Sequence, residues 1–410
     1  MQTFLDKAFR ETPEGREADR ILRSCVHCGF CNATCPTYQL LGDERDGPRG
    51  RIYLIKEMLE HGRASRETQI HLDRCLTCRA CETTCPSGVD YSKLLEIGRA
   101  VAERHVKRPA GEKILRKLLL KTAPNPDRMM ALMPFARLAK PLLPKGLASS
   151  VPATHPDREP WPHAHHQRKV LLLQGCVQSV HRPEINHATA RVLNRLGIQA
   201  IPADGCCGAL SHHLSAEEQT LETARRNIDQ WWPVIEEGVE AILLTASGCA
   251  PTVLEYGQLL ANDPQYAKRA QRLSGLAMEI SQYIQQQDLS LFHKPGELLP
   301  SVAFHSPCTL QHGLKTVGRV EALLRELGFR LTAVADSHLC CGSAGTYSIL
   351  QPELSEQLRE NKVRNLQAGQ PDLLATANIG CLAHLQKGTH LPVVHWIELV
   401  DLPPTGWPAA

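Results

Sequence analysis

Cys25 to Pro36 reads CVHCGFCNATCP and Cys75 to Pro86 reads CLTCRACETTCP, so the pattern C-x2-C-x2-C-x3-C-P occurs twice. In such a run the first three thiolates bind one iron-sulfur cube, and the fourth, followed by proline, is directed to the other cluster. The spacing therefore predicts two 4Fe-4S clusters with crossed ligands. The predicted sets are Cys25, Cys28, Cys31 and Cys85 for the first cluster, and Cys75, Cys78, Cys81 and Cys35 for the second.

The segments beside these runs have helical periodicity. Ile52, Ile55 and Leu59 share one helical face between the runs, and a second face of this kind follows at 94–101. We therefore expect a mostly α-helical domain over residues 1–110. Arg49, Arg51 and Arg79 lie close to the cysteines in sequence, and they either raise cluster potentials by their charge or are solvated surface residues.

The C-terminal half contains an internal repeat. VLLLQGC at 170–176, GCCG at 205–208 and LLTASGCA at 243–250 return as VAFHSPC at 302–308, CCG at 340–342 and ATANIGCL at 375–382. Short apolar strands that end in cysteine and precede helices predict two copies of one α/β domain with a parallel sheet, at 169–297 and 298–410. Parallel sheets collect ligands beyond the carboxyl ends of their strands.

Each copy therefore predicts one site of four thiolates. Cα atoms of adjacent cysteines lie ~3.8 Å apart, below the ~4.4 Å that an unstrained disulfide needs. A metal is favoured over a disulfide, and the thiolates suit either an iron-sulfur centre or tetrahedral zinc. The candidate ligands are Cys176, Cys206, Cys207 and Cys249 in the first copy, and Cys308, Cys340, Cys341 and Cys381 in the second.

Composition narrows the class of protein. The chain has 410 residues, 46 Lys and Arg against 43 Asp and Glu, and a net charge of +3, which gives no reason to expect nucleic acid as a partner. The N-terminus has no apolar core of a secretion signal, and no apolar stretch reaches the ~20 residues of a membrane helix. We expect the sixteen cysteines to lie in a reducing compartment and to bind metal.

Residues 111–168 form a basic, proline-rich segment and linker. Between 113 and 147 it has eight Lys and Arg against one acidic residue, Asp127, with five prolines. The segment either packs between domains and partners or lies on an anionic membrane surface. Residues 148–168, rich in Pro and His, are interpreted as a linker.

Most of the chain resembles the iron-sulfur subunits of glycolate oxidases, which are glycolate dehydrogenases. The resemblance rests on VHCGFCNATCPTYQLLGDE, DGPRGRIYLIKE, HLDRCLTCRACETTCPSGV, LTASGC, CTLQH, DSHLCCGSAGTY and TANIGC. The two copies resemble the cysteine-rich CCG domains of heterodisulfide reductase and of anaerobic glycerol-3-phosphate dehydrogenase. The fuller CCG pattern ends in C-x2-C, but here Thr252 and His384 replace the closing cysteine, so each copy lacks one thiolate. His305, His338 and His384 are either ligands or proton carriers near an acceptor, or have ordinary polar roles; the ordinary role is favoured for His305 and His338, and His384 is the better ligand candidate.

The resemblance implies an electron-transfer subunit that is not catalytic alone. Flavoprotein partners would oxidise glycolate to glyoxylate, and this chain would pass the electrons toward a quinone or other membrane acceptor. It would be cytoplasmic and peripheral on the inner membrane. We find no dinucleotide or phosphate-loop motif, so no flavin is expected on this chain. The alternatives are the iron-sulfur subunit of a glycerol-3-phosphate dehydrogenase, a thiol/disulfide enzyme of the heterodisulfide reductase type, and a zinc-stapled scaffold.

Overall fold

The structure is a computed structural model that describes residues 1–142, 151, 161–292 and 299–401. Its N-terminal region consists of helices. Helix starts follow local rules, since Thr12 and Asp90 accept hydrogen bonds from the first turns of their helices and prolines occupy first positions. The α-helices are Lys7–Arg10, Pro13–Ser24, Pro36–Leu41, Pro48–His61, Arg66–Asp73, Ala80–Thr84 and Tyr91–His105, with 3-10 turns at Phe30–Asn32 and Glu44–Asp46.

The predicted helical faces form the core of this region. Ile52, Ile55 and Leu59 pack in one buried cluster with Leu94 and Val101. Burial of this apolar surface holds Pro48–His61 against Tyr91–His105. The mostly α-helical N-terminal domain is confirmed.

A buried ion network centred on Arg51 joins the two cysteine runs. Arg51, 1% exposed, donates from Nη2 to Asp46 at 3.4 Å and from Nε to the His71 carbonyl at 2.7 Å. Asp46 also accepts from Arg74 at 2.9 Å and contacts His71 Nδ1 at 3.0 Å. The network links the chain after Cys35 to the chain before Cys75, because its members come from both sides.

Two parallel four-stranded sheets follow, in the orders β2-β1-β3-β4 and β6-β5-β7-β8. The strands are β1 Arg168–Leu173, β2 Ile198–Ala203, β3 Ile242–Leu244, β4 Ala277–Glu279, β5 Ser301–His305, β6 Arg330–Leu331, β7 Leu373–Thr376 and β8 Val393–His395. The first strand of each repeat, β1 or β5, is an inner strand of its sheet. The first cysteine of the repeat follows the carboxyl end of that strand. The equal strand order confirms two repeated α/β units; their boundaries at 297 and 298 remain a prediction.

Helices cover both sheets. In the first unit they are Gln178–His181, Glu184–Arg195, Ala209–His213, Glu217–Glu236, Ala250–Leu254, Tyr256–Leu259, Ala267–Leu276 and Ile280–Ile284, followed by the 3-10 turn Ser290–Phe292. In the second they are the π-helical turn Thr309–Gly313 and the α-helices Arg319–Glu326, Tyr347–Leu350, Pro352–Gln367, Ile379–Gln386 and Trp396–Asp401.

The two units exchange their last helices and share one hydrophobic core. Trp396–Asp401 of the second unit packs on Glu184–Arg195 of the first, and Arg191 and Arg195 pair with Asp401 at 2.6 and 2.8 Å. Reciprocally, Ile280–Ile284 packs on Arg319–Glu326. The two units therefore form one pseudo-symmetric pair with a shared core and are not two structurally separate units.

The basic segment contains two helices, Ala110–Thr122 and Pro126–Leu138, and the 3-10 turn Lys140–Leu142. Large apolar side chains on it are exposed, including Phe135 at 70% and Leu138 at 84%. Within the described residues no helix has the length and apolarity to cross a membrane. Most of the predicted linker, 152–160 with 148–150, lies outside the described residues.

We expect Arg51→Met to lower the free energy of unfolding by about 3 kcal/mol, because Asp46 then keeps a buried charge with fewer partners. Anaerobic denaturant unfolding followed by helical circular dichroism measures this change. Arg45→Met is the matched control, since Arg45 forms an exposed ion pair with Asp43. Equal losses in the two variants would contradict the buried network.

Candidate metal centres

The first cysteine site opens on the surface of the helical domain. A cavity of about 420 Å³, measured out to solvent, is lined by Cys25, Cys28 and Cys31 of the first run together with Cys81 and Cys85 of the second. Cys28 is exposed. Cys35, the fourth cysteine of the first run, is not among the residues that line this cavity.

The thiols of this site do not ionise readily without a bound cation. Burial raises the pKa of Cys31 to about 11, and the neighbouring Cys25 and Cys85 thiolates add to the effect. Several thiolates at such a site need a cation to compensate their charge, which is how metal binding becomes coupled to proton release. The donor set therefore fits a cationic metal centre.

The second site lies deeper. A cavity of about 300 Å³ is lined by Cys75, Cys78 and Cys81 together with Cys35 from the first run. Tyr91 lines both cavities and donates its hydroxyl to Cys75 Sγ at 3.7 Å. Four cysteine thiolates are the usual ligand set of a 4Fe-4S cluster, so the donors of this site fit such a cluster.

The two loops repeat the same backbone conformation. His27 and Thr77 have φ of 60° and 53°, and Gly29 and Arg79 have φ of 85° and 60°. Arg79 therefore occupies a left-handed conformation that glycine adopts in the first loop. Its guanidinium pairs with Glu255 at 3.0 Å, which ties the second loop to the first α/β unit.

The α/β units cover the second loop. Thr77 Oγ1 contacts His213 Nδ1 at 3.4 Å in the first unit, and Thr83 Oγ1 contacts His312 Nδ1 at 2.9 Å in the second. By contrast, Val26 and Phe30 of the first loop are 68% and 63% exposed. The first site thus faces outward and the second faces inward.

The three arginines near the cysteines differ in their burial and in the groups that they contact. Arg51 is buried, with Nη1 4.0 Å from Cys35 Sγ, so its charge acts on the second site. Arg49 and Arg79 are partly exposed and pair with Glu44 and Glu255. Hydrogen bonds and positive charge at cluster sulfurs raise reduction potentials. Arg51 is therefore positioned to favour reduction of a cluster at the second site.

Each α/β unit gathers its four cysteines at the carboxyl end of its sheet. All sixteen cysteines of the chain are free thiols. In the second unit Cys308 Sγ lies 3.9 Å from Cys340 Sγ, and this contact together with burial raises the pKa of Cys308. Cys176, Cys206, Cys207 and Cys249 make the corresponding series of contacts in the first unit.

The glycine after each cysteine pair permits this crowding. Gly208 and Gly342 have φ of 86° and 90°, and a Cβ on Gly342 would lie 2.6 Å from the Ser355 carbonyl oxygen. A larger residue at 342 would therefore clash as well as strain the backbone.

The second ferredoxin site adjoins the second α/β unit. Leu76 packs in one apolar cluster with Cys340 and Tyr347, and Cys78 and Cys308 pack against that cluster. Burial raises the pKa of Cys78, and the nearby Cys308 thiolate raises it further. The thiols of these two sites are thus close enough to interact electrostatically.

Comparison with known proteins agrees with this architecture. Residues 21–89 match the 4Fe-4S dicluster domain family, and residues 170–253 and 302–386 match the cysteine-rich CCG domain family. The "Glycolate oxidase iron-sulfur subunit" of Escherichia coli K12 is 53% identical over 403 residues, with 98% of each chain covered. The chain belongs to the family of glycolate oxidase iron-sulfur subunits. The predictions of two 4Fe-4S clusters and of repeated CCG domains are confirmed.

More distant relatives extend the family. The "Probable glycolate oxidase iron-sulfur subunit" of Bacillus subtilis 168 is 29% identical, covering 90% of this chain and 89% of its own. "Lactate utilization protein A" of Shouchella clausii is 29% identical and covers 57% of this chain and 98% of its own. A hypothetical protein from Helicobacter pylori, known from a crystal structure, has a TM-score of 0.55, 10% identity, and coverage of 99% and 74%. That likeness shows the fold alone.

Two histidines lie close to the cysteine site of the second unit, and whether either is a ligand remains a prediction. His384 Nε2 is 3.2 Å from Ser355 Oγ and 3.3 Å from the Ser355 carbonyl oxygen. His305, assigned an ordinary polar role, has a ring nitrogen within 4.8 Å of the sulfurs of Cys341 and Cys381. Periodicity could not reveal this, because His305 ends a buried strand where the pattern expects an apolar residue.

One ion pair between the ferredoxin domain and the first CCG unit depends on pH. Burial opposes ionisation of Glu96, but the hydrogen bond from His212 Nε2 at 2.8 Å and the charges of His212 and Lys93 together outweigh burial and hold the pKa of Glu96 at about 2. Likewise burial alone would lower the pKa of His212, yet Glu96 raises it above its usual 6.5. The pair is therefore fully ionised between the ordinary pKa values, about 4.5 and 6.5.

We expect the stability difference between the natural chain and His212→Gln to be largest near pH 6. The difference should shrink as pH rises through the raised pKa of folded His212, because the imidazole then loses its charge. Anaerobic denaturant unfolding from pH 4.5 to 9 measures it, with His105→Gln as control. A difference that is constant with pH would refute the ion pair.

Proposed function

We propose that this chain is the electron-transfer subunit of a flavin-dependent glycolate dehydrogenase complex. Oxidation of glycolate to glyoxylate releases two electrons and two protons, which a flavin on a partner subunit can accept together. Iron-sulfur clusters carry electrons singly, which suits a relay from flavin to a quinone or other membrane acceptor. The observation that carries the proposal is the unbroken series of cysteine sites, from the exposed first loop to the second CCG unit.

The ligand assignment supports a relay of two cubes. The first cavity has Cys85 beside the first-run cysteines, and the second has Cys35 beside those of the second run. We propose that Cys25, Cys28, Cys31 and Cys85 hold one cluster and that Cys75, Cys78, Cys81 and Cys35 hold the other. Such crossing locks the two loops to each other through both metal centres.

Cys35→Ala should damage the cluster held by Cys75, Cys78 and Cys81, because it removes that cluster's fourth thiolate. Electron paramagnetic resonance of the anaerobically purified, reduced chain separates the two cluster signals. Cys85→Ala is the matched variant and should affect the other signal. Loss in the Cys35 variant of the signal that depends on Cys28 would show that the ligands are not crossed.

Electrons enter this relay at the first site. Support comes from exposed Cys28 and from the exposed apolar side chains of Val26 and Phe30 beside it, since interfaces bury such side chains in their centres. The second site is covered by both CCG units and therefore offers a partner no comparable approach. A flavoprotein subunit docked on the first loop would place its flavin nearest the first cluster.

The purified chain should carry iron and sulfide without stoichiometric flavin, and glycolate should reduce its clusters only after flavoprotein subunits are added. Phe30→Glu should slow that reduction at least about tenfold, the effect of ~1.4 kcal/mol lost from an interface. Stopped-flow absorbance follows cluster reduction in the reconstituted complex.

Val317→Glu is the control, because Val317 is 72% exposed on the second CCG unit. An equal effect of both variants would reject the docking face. Tightly bound flavin in the chain alone, or glycolate oxidation without partners, would reject the subunit's proposed role.

We further propose that the subunit is cytoplasmic and peripheral on the inner membrane. The helices at 110–138 support this, because exposed Phe135 and Leu138 accompany Lys117, Lys121 and Arg137 on one segment. Apolar side chains among basic ones bind anionic lipid surfaces. Flotation of the full chain with anionic vesicles, weakened by Leu138→Glu and unchanged by Val317→Glu, tests it; equal flotation of both variants would contradict it.

A further inference from the structure

The matching cysteine sites of the two CCG units differ in several neighbouring residues, among them the one that ends the first strand. Leu173 ends β1 in the first unit, and His305, 132 residues later, ends β5 in the second. Leu173 packs in the buried cluster that contains Cys207. The equivalent place beside Cys341 is therefore apolar in one unit and holds an imidazole in the other.

His305 is buried without satisfying its polar atoms. It is 2% exposed, and its Nε2 has no hydrogen-bond partner in the described structure. One ring nitrogen of His305 and the sulfurs of Cys341 and Cys381 all lie within 4.8 Å of one another. A thiolate pair and an imidazole at this separation match the spacing of donors around one transition-metal ion.

Two further buried hydroxyl oxygens without hydrogen-bond partners lie at the same edge of the sheet. Ser306 Oγ and Thr376 Oγ1 are buried and without partners, and Thr376 is the register neighbour of His305. The first unit has Gln174 and Leu244 at these positions, and Gln174 Nε2 donates to the Leu172 carbonyl. Buried polar atoms in proteins almost always have partners, so a group of orphans at one edge indicates a bound species.

Positive charge is also placed at this site. Lys362 is 3% exposed, and Nζ donates to the Asp336 carbonyl at 2.6 Å. Burial lowers the pKa of Lys362, and its electrostatic interaction with the thiols of Cys341, Cys340 and Cys308 opposes that effect. A buried ammonium beside several thiols fits an anionic metal-thiolate centre better than a set of neutral thiols.

We propose that the second CCG unit holds an iron-containing centre to which His305 is a ligand, together with Cys308, Cys340, Cys341 and Cys381. The imidazole takes the place of the thiolate that the unit lacks at 384, whereas the first unit has thiolates alone. The proposed ligand adds detail to the electron-transfer function proposed above. Only the choice of iron as the metal rests on that proposed function. His384 contacts Ser355 through Nε2 and is not a ligand in this proposal.

The substitution has an electrochemical consequence. Replacing an anionic thiolate by a neutral imidazole lowers the negative charge of an iron centre and raises its reduction potential. The centre of the second unit should therefore accept electrons more readily than that of the first. It is also the unit whose cysteines adjoin the second ferredoxin site.

The test uses the full chain, produced anaerobically with 15N-labelled histidine. Pulsed electron paramagnetic resonance of the reduced protein should show a strongly coupled histidine nitrogen, which a chain with only cysteine ligands lacks. His305→Leu should abolish this coupling and leave both ferredoxin signals. The leucine repeats the residue of the first unit, so packing is kept.

Two variants separate ligation from folding. His384→Gln should keep the coupling, and His305→Cys should lose it while retaining the iron of the centre and lowering its potential. Coupling that persists in His305→Leu, or that is absent from the natural chain, would overturn the proposal. Iron fully accounted for by the ferredoxin clusters, with zinc present, would also overturn it. Reduction of those clusters by glycolate and partner subunits is independent, so the proposed function would survive such a failure.

Discussion

The arrangement of the clusters depends on the buried guanidinium of Arg51. It reaches Thr37 and Asp46 on the first-run side and the His71 carbonyl on the second-run side, so it fixes two loops that are distant in sequence. Most of the predicted cluster cysteines lie outside the helices, and side-chain contacts such as these fix one cysteine run relative to the other. A charge buried at 1% exposure is tolerated only with its partners in place, and this requirement makes the junction specific.

The two ferredoxin sites differ in their exposure to solvent, which suits them to different roles. The first site is open to solvent beside apolar side chains, whereas the second is enclosed by histidines and a glutamate from both CCG units. Gly248 N–H donates to Asn378 Oδ1 at 3.1 Å, and Asn378 Nδ2 lies 3.4 Å from Cys381 Sγ. One amide therefore connects the thiolate sites of the two units, in keeping with their shared core.

Much of this could be predicted from the sequence. Cysteine spacing defined the dicluster domain, the apolar faces of 48–61 and 91–105 gave its helices, and the repeat predicted two parallel sheets. The exchange of terminal helices could not be predicted, because periodicity shows which face is apolar but not which unit covers it. The burial of Arg51 and the placement of His305 were also missed, since both are polar residues whose partners are distant in sequence. Helices at 110–138 form although prolines punctuate the segment, because Pro124 lies between the two helices and Pro126 occupies the first position of the second, which nevertheless continues through Pro134.

The second ferredoxin site adjoins the second CCG unit, as expected of neighbouring centres on one electron path. Spin relaxation of the second cluster in the fully reduced chain tests this proximity, since a nearby paramagnetic centre accelerates relaxation. Cys308→Ser should slow this relaxation, whereas Cys176→Ser in the first unit should leave it unchanged. Relaxation that is insensitive to Cys308, or that responds equally to Cys176, would show that the two centres are not neighbours.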